Sequence, residues 1–576
     1  MARIPHPRDE SRVSHAPERR HEPLRLLEHI TRFRDQTQAY LNGDLSEEAF
    51  RPLRLLHGLY RLRETTMLRV AVPQGRLSSE PLRRLARIAR EYALGEVHLT
   101  TRQTIQFTGP AIGAVPQILA ELAEVGLSSF LTSGNGIRGI VVDPLAGLAA
   151  DELEDPRPWH AILDQWRLTH PLMGQLPRKF KIGIHGARTD RVTLAAQDLG
   201  LELVRDARGE LGFRVLVGGG LGRGPRLAQE LTPFVHWPHL LTWIEAILRV
   251  YARDGRQPDP YKSRLKNLVQ RLGLVEFRAQ VESEWAHLRD GPATLTKAQV
   301  ERAARPFVEA PTDDTVFAAT TVPAPAPNEP PEYLLWRHQN VQPHKRAGHA
   351  IVTLSTKRLG TAPGNLSPEQ LERIADWAAT ESRDAVRLTP NQNLVLTQVR
   401  EDRLFALWED VRAFGLDGPN RGLLTDLVAC PGARECDLAH GDSLGLAAAI
   451  QARFADADDV RDIGPLDLRI SGCVNACAHH NLAAIGIRGL RKQGESRYQI
   501  LIGGRSGREA RLAEPLGPSF AADEVPEAVA GLIALYRRHR QTGETFDAAV
   551  QRLGAEPFRT IVTRAADAAP QETPHD

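Results

Sequence analysis

The chain contains an internal repeat, and this repeat constrains the fold more than any other feature of the sequence. Residues 77–108 (LSSEPLRRLARIAREYALGEVHLTTRQTIQFT) align without a gap with residues 366–397 (LSPEQLERIADWAATESRDAVRLTPNQNLVLT), displaced by 289 positions. Three further matches follow in the same order: residues 215–228 with 500–513, residues 269–278 with 550–559, and a weak match of Lys181 with Arg469. Two homologous halves explain all of these matches together.

A proline-rich stretch separates the two halves. It reads VPAPAPNEPPE and covers residues 322–332. Proline has no backbone N–H and fixes φ, so such a stretch packs poorly as a helix or as a sheet strand. We therefore predict an extended connection, within a linker over residues 316–345.

Each copy of the repeat predicts a strand, a helix and further strand structure. Apolar residues recur at the spacing of an amphipathic helix, and they are Leu82, Leu85, Ala86 and Ala89 in the first copy and Leu371, Ile374, Ala375 and Ala378 in the second. Ser367, followed three residues later by Gln370, predicts a capping box. Residues 67–73, 97–108 and 386–397 alternate in hydrophobicity, which is typical of strands. Two such units could share one sheet.

The cysteines lie within one short region, as C-x5-C followed by C-x3-C. The chain has four: Cys430, Cys436, Cys473 and Cys477. Four cysteines in so long a chain do not make a disulfide framework, and thiolates are the preferred ligands of iron–sulfur clusters and zinc. The spacings are unlike the usual zinc knuckles, and Gly472, Asn475 and Ala476 permit close folding around a bulky cluster. The residues favour a cluster, with zinc and unligated thiols as alternatives; His479 and His480 are predicted to pack rather than to bind metal.

Charge and hydropathy narrow the class of protein. The 73 basic and 71 acidic side chains give a formal net charge of +2, so no overall field attracts nucleic acid or an anionic membrane. No apolar run is long enough to span a bilayer, and the first residues lack the apolar core of a signal peptide. We therefore predict a cytoplasmic protein that binds neither nucleic acid nor a membrane.

Together these motifs resemble the siroheme-containing sulfite and nitrite reductases, most of all the hemoprotein subunit of sulfite reductase. The resemblance covers about residues 45–560 and rests on the cysteine pattern, the duplicated LT-x-x-Q segments, LPRKFK at 176–181 and LVGGGLG at 216–222. It implies an α+β fold of two homologous halves, each a ferredoxin-like half-domain followed by an α/β siroheme/iron–sulfur reductase domain. It also implies a siroheme and a [4Fe–4S] cluster, with the four cysteines as cluster ligands and Cys477 as a bridge to the siroheme iron.

The resemblance divides the chain into seven segments. They are an N-terminal extension at 1–45, disordered in its first part; a ferredoxin-like half-domain at 46–145; a siroheme- and substrate-side reductase domain at 146–315; the linker at 316–345; a second ferredoxin-like half-domain at 346–415; a [4Fe–4S]-binding reductase domain at 416–565; and a disordered tail at 566–576.

The resemblance also implies roles for basic and amide side chains. The residues that match the family's substrate-binding positions are Arg69, Arg138, Lys179 and Lys181. On a strand, the alternation of Lys179 and Lys181 would place both ammonium groups on one face. Arg102 matches an arginine that pairs with siroheme carboxylates, and Gln106 and Asn475 are further cofactor-binding candidates. Thr108 stands where some relatives have a histidine.

The implied function is assimilatory sulfite reduction, a six-electron reduction of sulfite to sulfide. Reduction of nitrite to ammonia is the alternative, and a non-catalytic zinc- or cluster-binding protein is a remote one. Plant-type nitrite reductases of this family tend to carry asparagine in place of the second lysine, so Lys179 and Lys181 favour sulfite. The glycine-rich loop at 216–224 lacks a strict G-x-G-x-x-G dinucleotide motif. Electrons are therefore expected from a ferredoxin or a flavoprotein subunit.

Overall fold

The computed structural model describes residues 16–62, 64–172, 174–308 and 329–568. In the first half, the helices are Ala16–Leu41 (α1), Glu47–Leu56 (α2), Ser79–Tyr92 (α3), Val115–Glu124 (α4), Arg157–Thr169 (α5), Leu240–Asp254 (α6), Leu265–Leu272 (α7), Leu274–Ala286 (α8) and Lys297–Ala304 (α9). Its strands are Leu59–Arg61 (β1), Thr66–Ala71 (β2), Arg76–Leu77 (β3), Val97–Leu99 (β4), Thr104–Thr108 (β5), Val141–Val142 (β6), Ile182–His185 (β7), Leu199–Arg205 (β8), Leu211–Val217 (β9) and Gln229–His236 (β10).

The second half repeats this order. Its helices are Pro331–Asn340 (α10), Pro368–Glu381 (α11), Leu404–Ala413 (α12), Ser443–Arg453 (α13), Ala457–Ile463 (α14), Val525–His539 (α15), Phe546–Leu553 (α16) and Glu556–Ala568 (α17). Its strands are Val341–Pro343 (β11), His349–Leu354 (β12), Asn365–Leu366 (β13), Val386–Leu388 (β14), Leu394–Arg400 (β15), Val428–Ala429 (β16), Leu468–Ser471 (β17), Ile485–Lys492 (β18), Glu495–Ile502 (β19) and Glu514–Phe520 (β20). None of the helices described is long and apolar enough to cross a membrane.

Two five-stranded sheets are built from the repeated segments, and each takes one strand from the other half. The orders are β1-β2-β5-β4-β13 and β11-β12-β15-β14-β3. The short strand β13 of the second half pairs antiparallel with β4, and β3 of the first half pairs antiparallel with β14. One hydrophobic core runs through both units and packs the predicted apolar faces of α3 and α11. The two repeats are therefore one interlocked body rather than two units sharing one sheet.

The other two sheets follow these units in sequence, one in each half. Their orders are β10-β9-β8-β7-β6 and β16-β17-β18-β19-β20. In each sheet the first three strands in sequence pair parallel with one another. The fourth strand pairs antiparallel with the third, and the fifth pairs antiparallel with the fourth. Each sheet has its own hydrophobic core with the helices that pack on it. The loops that follow β16 and β17 carry the cysteines, whereas the segments that precede β6 and β7 carry Arg138, Lys179 and Lys181.

Two glutamines, one from each LT-x-x-Q segment, connect the halves in an equivalent way. Gln103 donates from Nε2 to the carbonyl of Leu388 at 3.1 Å, and Gln392 donates to the equivalent carbonyl of Leu99 at 2.9 Å. Their Oε1 atoms accept the N–H groups at the start of the reductase sheets, from Val142 and its counterpart in β16, at 3.1 and 3.0 Å. Both glutamines have positive φ, 53° and 61°, which tightens the turn that aims each side chain across the interface.

The structure changes several of the predicted boundaries. The capping box is confirmed: Ser367 Oγ accepts from Gln370 N, and Gln370 Oε1 accepts from Ser367 N. The segments 97–108 and 386–397 are each a pair of strands around a tight turn rather than one strand. The linker prediction over 316–345 is wrong for α10 and β11, because apolar side chains of this segment pack into the core of the interlocked body.

Three other predictions fall partly outside the described residues. Of the N-terminal extension, residues 16–41 form α1, which packs through Ile30 and Phe33, and the part predicted as disordered lies mostly outside the described residues. Of the tail, residues 566–568 complete α17 and the rest lies outside. The weak match of Lys181 with Arg469 is wrong, because the strand pairing makes β7 equivalent to β17 and places Lys181 over Asp467.

The bridging glutamines generate a test of how the halves are held together. Replacing Gln103 or Gln392 by alanine leaves a buried carbonyl and a buried N–H without a partner, so each substitution is expected to destabilise the protein by about 1–3 kcal/mol. The measurement is the midpoint of thermal unfolding. Gln493→Ala is the matched control: Gln493 also has a positive φ, 52°, but is exposed, and its loss should change stability by less than about 0.5 kcal/mol. Equal midpoints for all three variants would contradict the bridging role.

Candidate functional site

Basic side chains from five segments of the first half cluster beside the interlocked body. The group comprises Arg69 on β2, Arg102 in the β4–β5 turn, Arg138 before β6, Lys179 and Lys181 before β7, and Arg264 before α7. Burial, together with the charge repulsion among these side chains, lowers the pKa of Arg102, Arg138, Lys179 and Lys181. The structure thus brings together five basic residues predicted from the sequence, and adds Arg264, which no motif had indicated.

The sheet positions the first of these residues and one predicted cofactor-binding amide. Arg69 on β2 lies opposite Gln106 on β5, and its Nη2 donates to Gln106 Oε1 at 3.0 Å. Gln106 therefore orients an arginine. Arg102 donates to Gln197 Oε1 at 3.0 Å and to the carbonyl of Gly139 at 2.6 Å, which fixes its guanidinium against the reductase domain.

Lys179 and Lys181 are held by the backbone on either side of a buried phenylalanine. They precede β7 rather than lying on it, and the residue between them, Phe180, forms a single bridge with Ile137. Backbone bonds of 2.8 and 3.0 Å join Phe180 to Arg138 and Gly136. Arg138 and the two lysines are thereby held in a fixed register, so the predicted clustering of the two ammonium groups is produced by an extended segment with one bridge.

Burial lowers the pKa of both lysines. Burial, with the charges of Arg264 and Arg138, lowers the pKa of Lys179 to about 7. The charge of Cys477, the predicted bridging ligand, acts in the opposite direction on the pKa of Lys179. Burial and the charge of Arg102 also bring the pKa of Lys181 well below its usual value. Lys179 is thus poised to give up a proton near neutral pH, and burial also disfavours the charged form of Lys181.

A single buried carboxylate anchors the group without neutralising it. Asp198 is fully buried and binds Arg264 through both oxygens, at 2.8 Å each from Nη2, while also accepting the backbone N–H of Lys181 at 2.9 Å. One carboxylate among six cations leaves a strong excess of positive charge. Two donor atoms of the group, Arg69 Nε and Arg138 Nη1, are buried without a hydrogen-bond partner in the described structure.

Tyr60 completes this group and was missed by sequence reasoning. The guanidinium carbon of Arg69 lies 5.3 Å from the centre of the Tyr60 ring. Burial alone would raise the pKa of Tyr60, but the charges of Arg69 and Arg138 lower it below its ordinary value. A phenol with a lowered pKa among anion-binding cations is a further potential proton donor. No motif surrounds Tyr60 in the sequence, so only the packing of β1 against β2 reveals it.

The cysteines lie across from this group, in two loops of the second half. Cys430 follows β16, Cys436 lies in the loop after it, and Cys473 and Cys477 lie in the loop after β17. The charge of Cys477 acts on the pKa of each of the other three thiols, and burial raises the pKa of Cys430 to about 12 and that of Cys473 to about 11. Cys477 is exposed and Cys473 is buried.

Zinc and an iron–sulfur cluster require different arrangements of the four thiols. Within the described residues, no three His, Cys, Asp or Glu side chains converge closely enough to bind one ion. Zinc requires its ligands around a single point, whereas each cysteine of a cubane binds a different iron atom. His479 and His480 are both buried, and neither ring nitrogen of His480 has a hydrogen-bond partner in the described structure.

Four glycines allow the cysteine loops to lie directly on the sheet. They are Gly432, Gly441, Gly472 and Gly489. A Cβ on Gly472 would lie 2.8 Å from the carbonyl oxygen of Gly441 and 2.9 Å from the Cα of Gly432, and a Cβ on Gly489 would lie 2.5 Å from the carbonyl oxygen of Gly472. Backbone thus packs on backbone, which only glycine permits. Sequence analysis identified one of the four; the recurrence of glycine near the cysteines was a signal for the others.

The first half holds the cysteine loops through side-chain contacts. Thr101, beside Arg102, donates from Oγ1 to the carbonyl of Cys477 at 2.7 Å. Thr108 donates to Glu435, the neighbour of Cys436, also at 2.7 Å. The glycine-rich loop approaches Asn475, since a Cβ on Gly222 would lie 3.7 Å from the carbonyl oxygen of Asn475. Asn475 itself is exposed at this junction.

Lys266 fixes the glycine-rich loop from inside. Its ammonium donates to the carbonyls of Gly220, Gly222, Arg223 and Gly224 at 3.2, 3.1, 2.9 and 2.7 Å. This loop is therefore organised around a protein cation. The loop carbonyls thus face a protein cation, whereas a dinucleotide-binding loop presents its backbone N–H groups to a phosphate.

The first half contains a counterpart of the cysteine site. Asp143 directly follows β6, as Cys430 directly follows β16. Arg191 lies six residues after the end of β7, as Cys477 lies six residues after the end of β17. Arg191 forms ion pairs with Asp143 at 2.9 Å and with Asp151 at 2.6 Å. In the first half, an ion-pair triad thus occupies the positions that the cysteines take in the second half.

These residues fit the two cofactors that the resemblance implied. Siroheme is a polycarboxylate, and a partly buried group of six cations with one carboxylate and two unpartnered N–H groups matches such a ligand together with a small anion. The thiols face this group across the junction of the halves, joined to it through Thr101. The roles of the individual residues remain predictions.

Two family models match the chain. The model described as nitrite and sulphite reductase 4Fe-4S domain matches residues 133–288 and 423–568, and the model described as nitrite/sulfite reductase ferredoxin-like half domain matches residues 60–125 and 353–414. These matches cover more than half of the chain and confirm the predicted α+β fold with duplicated half-domains.

Named relatives and a solved structure agree with this assignment. Sulfite reductase [ferredoxin] 1 of Mycolicibacterium paratuberculosis is 28% identical, over 86% of this chain and 83% of that protein. The assimilatory ferredoxin-dependent nitrite reductase of Haloferax mediterranei is 29% identical, over 83% of this chain and 80% of that protein. The structure of the Mycobacterium tuberculosis NirA protein superposes with a TM-score of 0.72 at 26% identity, covering 90% of this chain and 92% of that one.

The relatives are oxidoreductases, which sets aside the non-catalytic alternative, and the 4Fe-4S domain model sets aside zinc. The chain thus belongs to the nitrite and sulphite reductase family, and it is an oxidoreductase whose cofactors are a siroheme and a [4Fe–4S] cluster.

Proposed function

We propose that this protein is a sulfite reductase that takes electrons from a ferredoxin and reduces sulfite to sulfide. The observation that carries this proposal is the group of six cations with its single carboxylate, because sulfite has up to two negative charges where nitrite has one. An additional ammonium stabilises the dianion more than the monoanion by Coulomb's law. Ferredoxin is proposed as the donor because it appears in the names of both sulfite- and nitrite-reducing relatives.

The residues of the chain have distinct proposed roles. Cys430, Cys436, Cys473 and Cys477 would hold the cluster, and Cys477 would bridge to the siroheme iron. When bound, siroheme supplies the iron at which the anion is reduced, and the cluster supplies stored electrons. Arg69 and Arg138 have buried N–H groups to offer an oxyanion, and Arg102 would bind a siroheme carboxylate, with Asn475 a weaker candidate.

Proton supply is the second task of the cationic group. Reduction of sulfite to sulfide breaks three S–O bonds and takes up a proton for each hydrogen of the water released. Lys179, with a pKa of about 7, can lose a proton to a departing oxygen and regain one from solvent in the same pH range. Lys181 and Tyr60 are placed beside the same arginines and would share this work.

The cofactor assignment predicts a specific pattern of defects. The purified protein should contain iron and acid-labile sulfide in cubane proportion and show siroheme absorption bands. Cys477→Ser should change the siroheme spectrum as well as the cluster signal, because the proposed bridge is lost. Cys436→Ser is the matched control, expected to disturb the cluster without directly altering the siroheme ligand field. A Cys477→Ser protein with both signals intact would contradict the bridge.

The substrate assignment predicts a selective loss on changing the second lysine. Lys181→Asn removes one cation and should lower kcat/KM for sulfite by about 10²-fold while leaving nitrite reduction within a few-fold of its original rate. Steady-state assays with a reduced viologen dye as donor make the result independent of the partner protein. Lys297→Asn, at an exposed lysine far from the group, is the control. If the unmodified protein preferred nitrite, or the substitution lowered both activities equally, nitrite reduction to ammonia would be the function.

The lowered pKa of Lys179 predicts how anion binding depends on pH. As pH rises, the ammonium loses its charge, so the affinity for nitrite, which stays a monoanion throughout, should fall by about tenfold, or about 1.4 kcal/mol. The protein alone sets the midpoint near pH 7, and bound siroheme carboxylates would shift it upward. Binding is measured through the change in siroheme absorption. Lys179→Met should flatten the dependence, and an unchanged dependence in that variant would assign the titration to another group.

A further inference from the structure

We propose that Ser443 tunes the reduction potential of the cluster by hydrogen bonding to the sulfur of Cys430. This inference goes beyond the proposed function, because it depends on the cluster of the family and not on the choice between sulfite and nitrite. Ser443 is a positioning residue: it acts on the cluster through a ligand and contacts no substrate.

The contact is defined by two donors on one sulfur. The Oγ atom of Ser443 lies 3.6 Å from Cys430 Sγ, and the backbone N–H of Gly472 donates to the same sulfur at 3.2 Å. When Cys430 is a free thiol, either its S–H or the hydroxyl of Ser443 could be the donor. As an iron ligand, Cys430 is a thiolate without a proton, so both Ser443 and Gly472 must then donate to it.

The position of this hydroxyl is closely fixed. Ser443 is fully buried and is the first residue of α13. Gly432 lies so near that a Cβ on it would come within 2.4 Å of the backbone nitrogen of Ser443 and 2.9 Å of its Oγ. The burial of Ser443 and its closeness to Gly432 thus define where the hydroxyl lies.

The N-terminal end of α13 is capped by Asp442 and not by Ser443. Asp442 is the N-cap of the helix, accepting the N–H of Gly445 at 3.0 Å, and Arg434 holds its other oxygen at 2.8 Å. Changing Ser443 thus leaves the cap of the helix in place. The hydroxyl is available for the sulfur rather than required by the fold, which separates the proposed role from a structural one.

Hydrogen bonds to cluster sulfurs favour the reduced state. An added electron increases the negative charge on the cysteine sulfurs and strengthens any hydrogen bond that they accept, so removing a donor makes reduction harder. We expect Ser443→Ala to lower the one-electron reduction equilibrium constant by about tenfold, a potential shift of about 59 mV. The expected result is a cluster that is harder for the donor protein to reduce.

The test is a redox titration of the purified holoprotein, following the EPR signal of the reduced cluster. Ser443→Ala should lower the midpoint potential, and Ser443→Thr, which keeps the hydroxyl, should stay near the value of the unmodified protein. Ser496→Ala is the matched control: Ser496 also braces a cluster loop, but it donates to the carbonyl of His440 at 2.6 Å and not to a sulfur. The midpoint potential of the cluster in the Ser496→Ala protein should not change.

The outcomes separate this proposal from the assignment of substrate. A Ser443→Ala protein with a normal cluster and an unchanged potential would overturn the proposal, as would an equal shift in Ser443→Thr. If the alanine variant did not assemble its cluster, Ser443→Cys, which has nearly the same size and a weaker donor, would replace it, and an unchanged potential there would have the same meaning. A preference for nitrite over sulfite in activity assays would leave the measured potentials and the proposal untouched.

Discussion

The site exists because the two halves are joined through their backbones. Each interlocked sheet takes a strand from the other half, and Gln103 and Gln392 reach across to equivalent carbonyls. Neither half alone contains both the cations and the thiols. The hydrogen bond from Thr101 to the carbonyl of Cys477 joins the two sets across this interface, so the distance between anion site and cluster site follows from how the halves dock.

Ion pairs between α3 and α11 favour the docking of a first half with a second half. Arg83 and Arg90 of α3 pair with Asp376 and Glu372 of α11, at 2.6 and 3.0 Å. Exposed pairs of this kind add little stability. They do, however, give the two related helices opposite charges, so a first half meets a second half more favourably than it meets another first half. The duplicated helices have kept their apolar faces and diverged in the charges beside them.

The same divergence agrees with the proposed division of the two cofactors between the halves. In the first half, Asp143 and Arg191 stand where the second half has Cys430 and Cys477, and they neutralise each other as a buried pair. In the second half, Asp467 stands where the first has Lys181, and it pairs with Arg469 at 2.9 Å. In each half, the position equivalent to a predicted site residue of the other half thus carries a pair of opposite charges. The positions proposed to bind cofactor and substrate carry an excess of positive charge or free thiols, a state that is costly for the protein alone and favourable once ligands bind.

The sequence by itself determined the duplication, the apolar faces of α3 and α11, the capping box and the cysteine pattern, because these depend on local spacing along the chain. The tertiary structure alone decided which strands are exchanged, that Gln106 orients Arg69, and that Tyr60, Arg264 and Ser443 join the site. These three residues carry no motif, and Arg264 lies 66 positions along the chain from its partner Asp198. Their roles arise from burial and charge at a junction of distant segments, and the energy of a buried charge or hydrogen bond depends on neighbours that only the folded chain supplies.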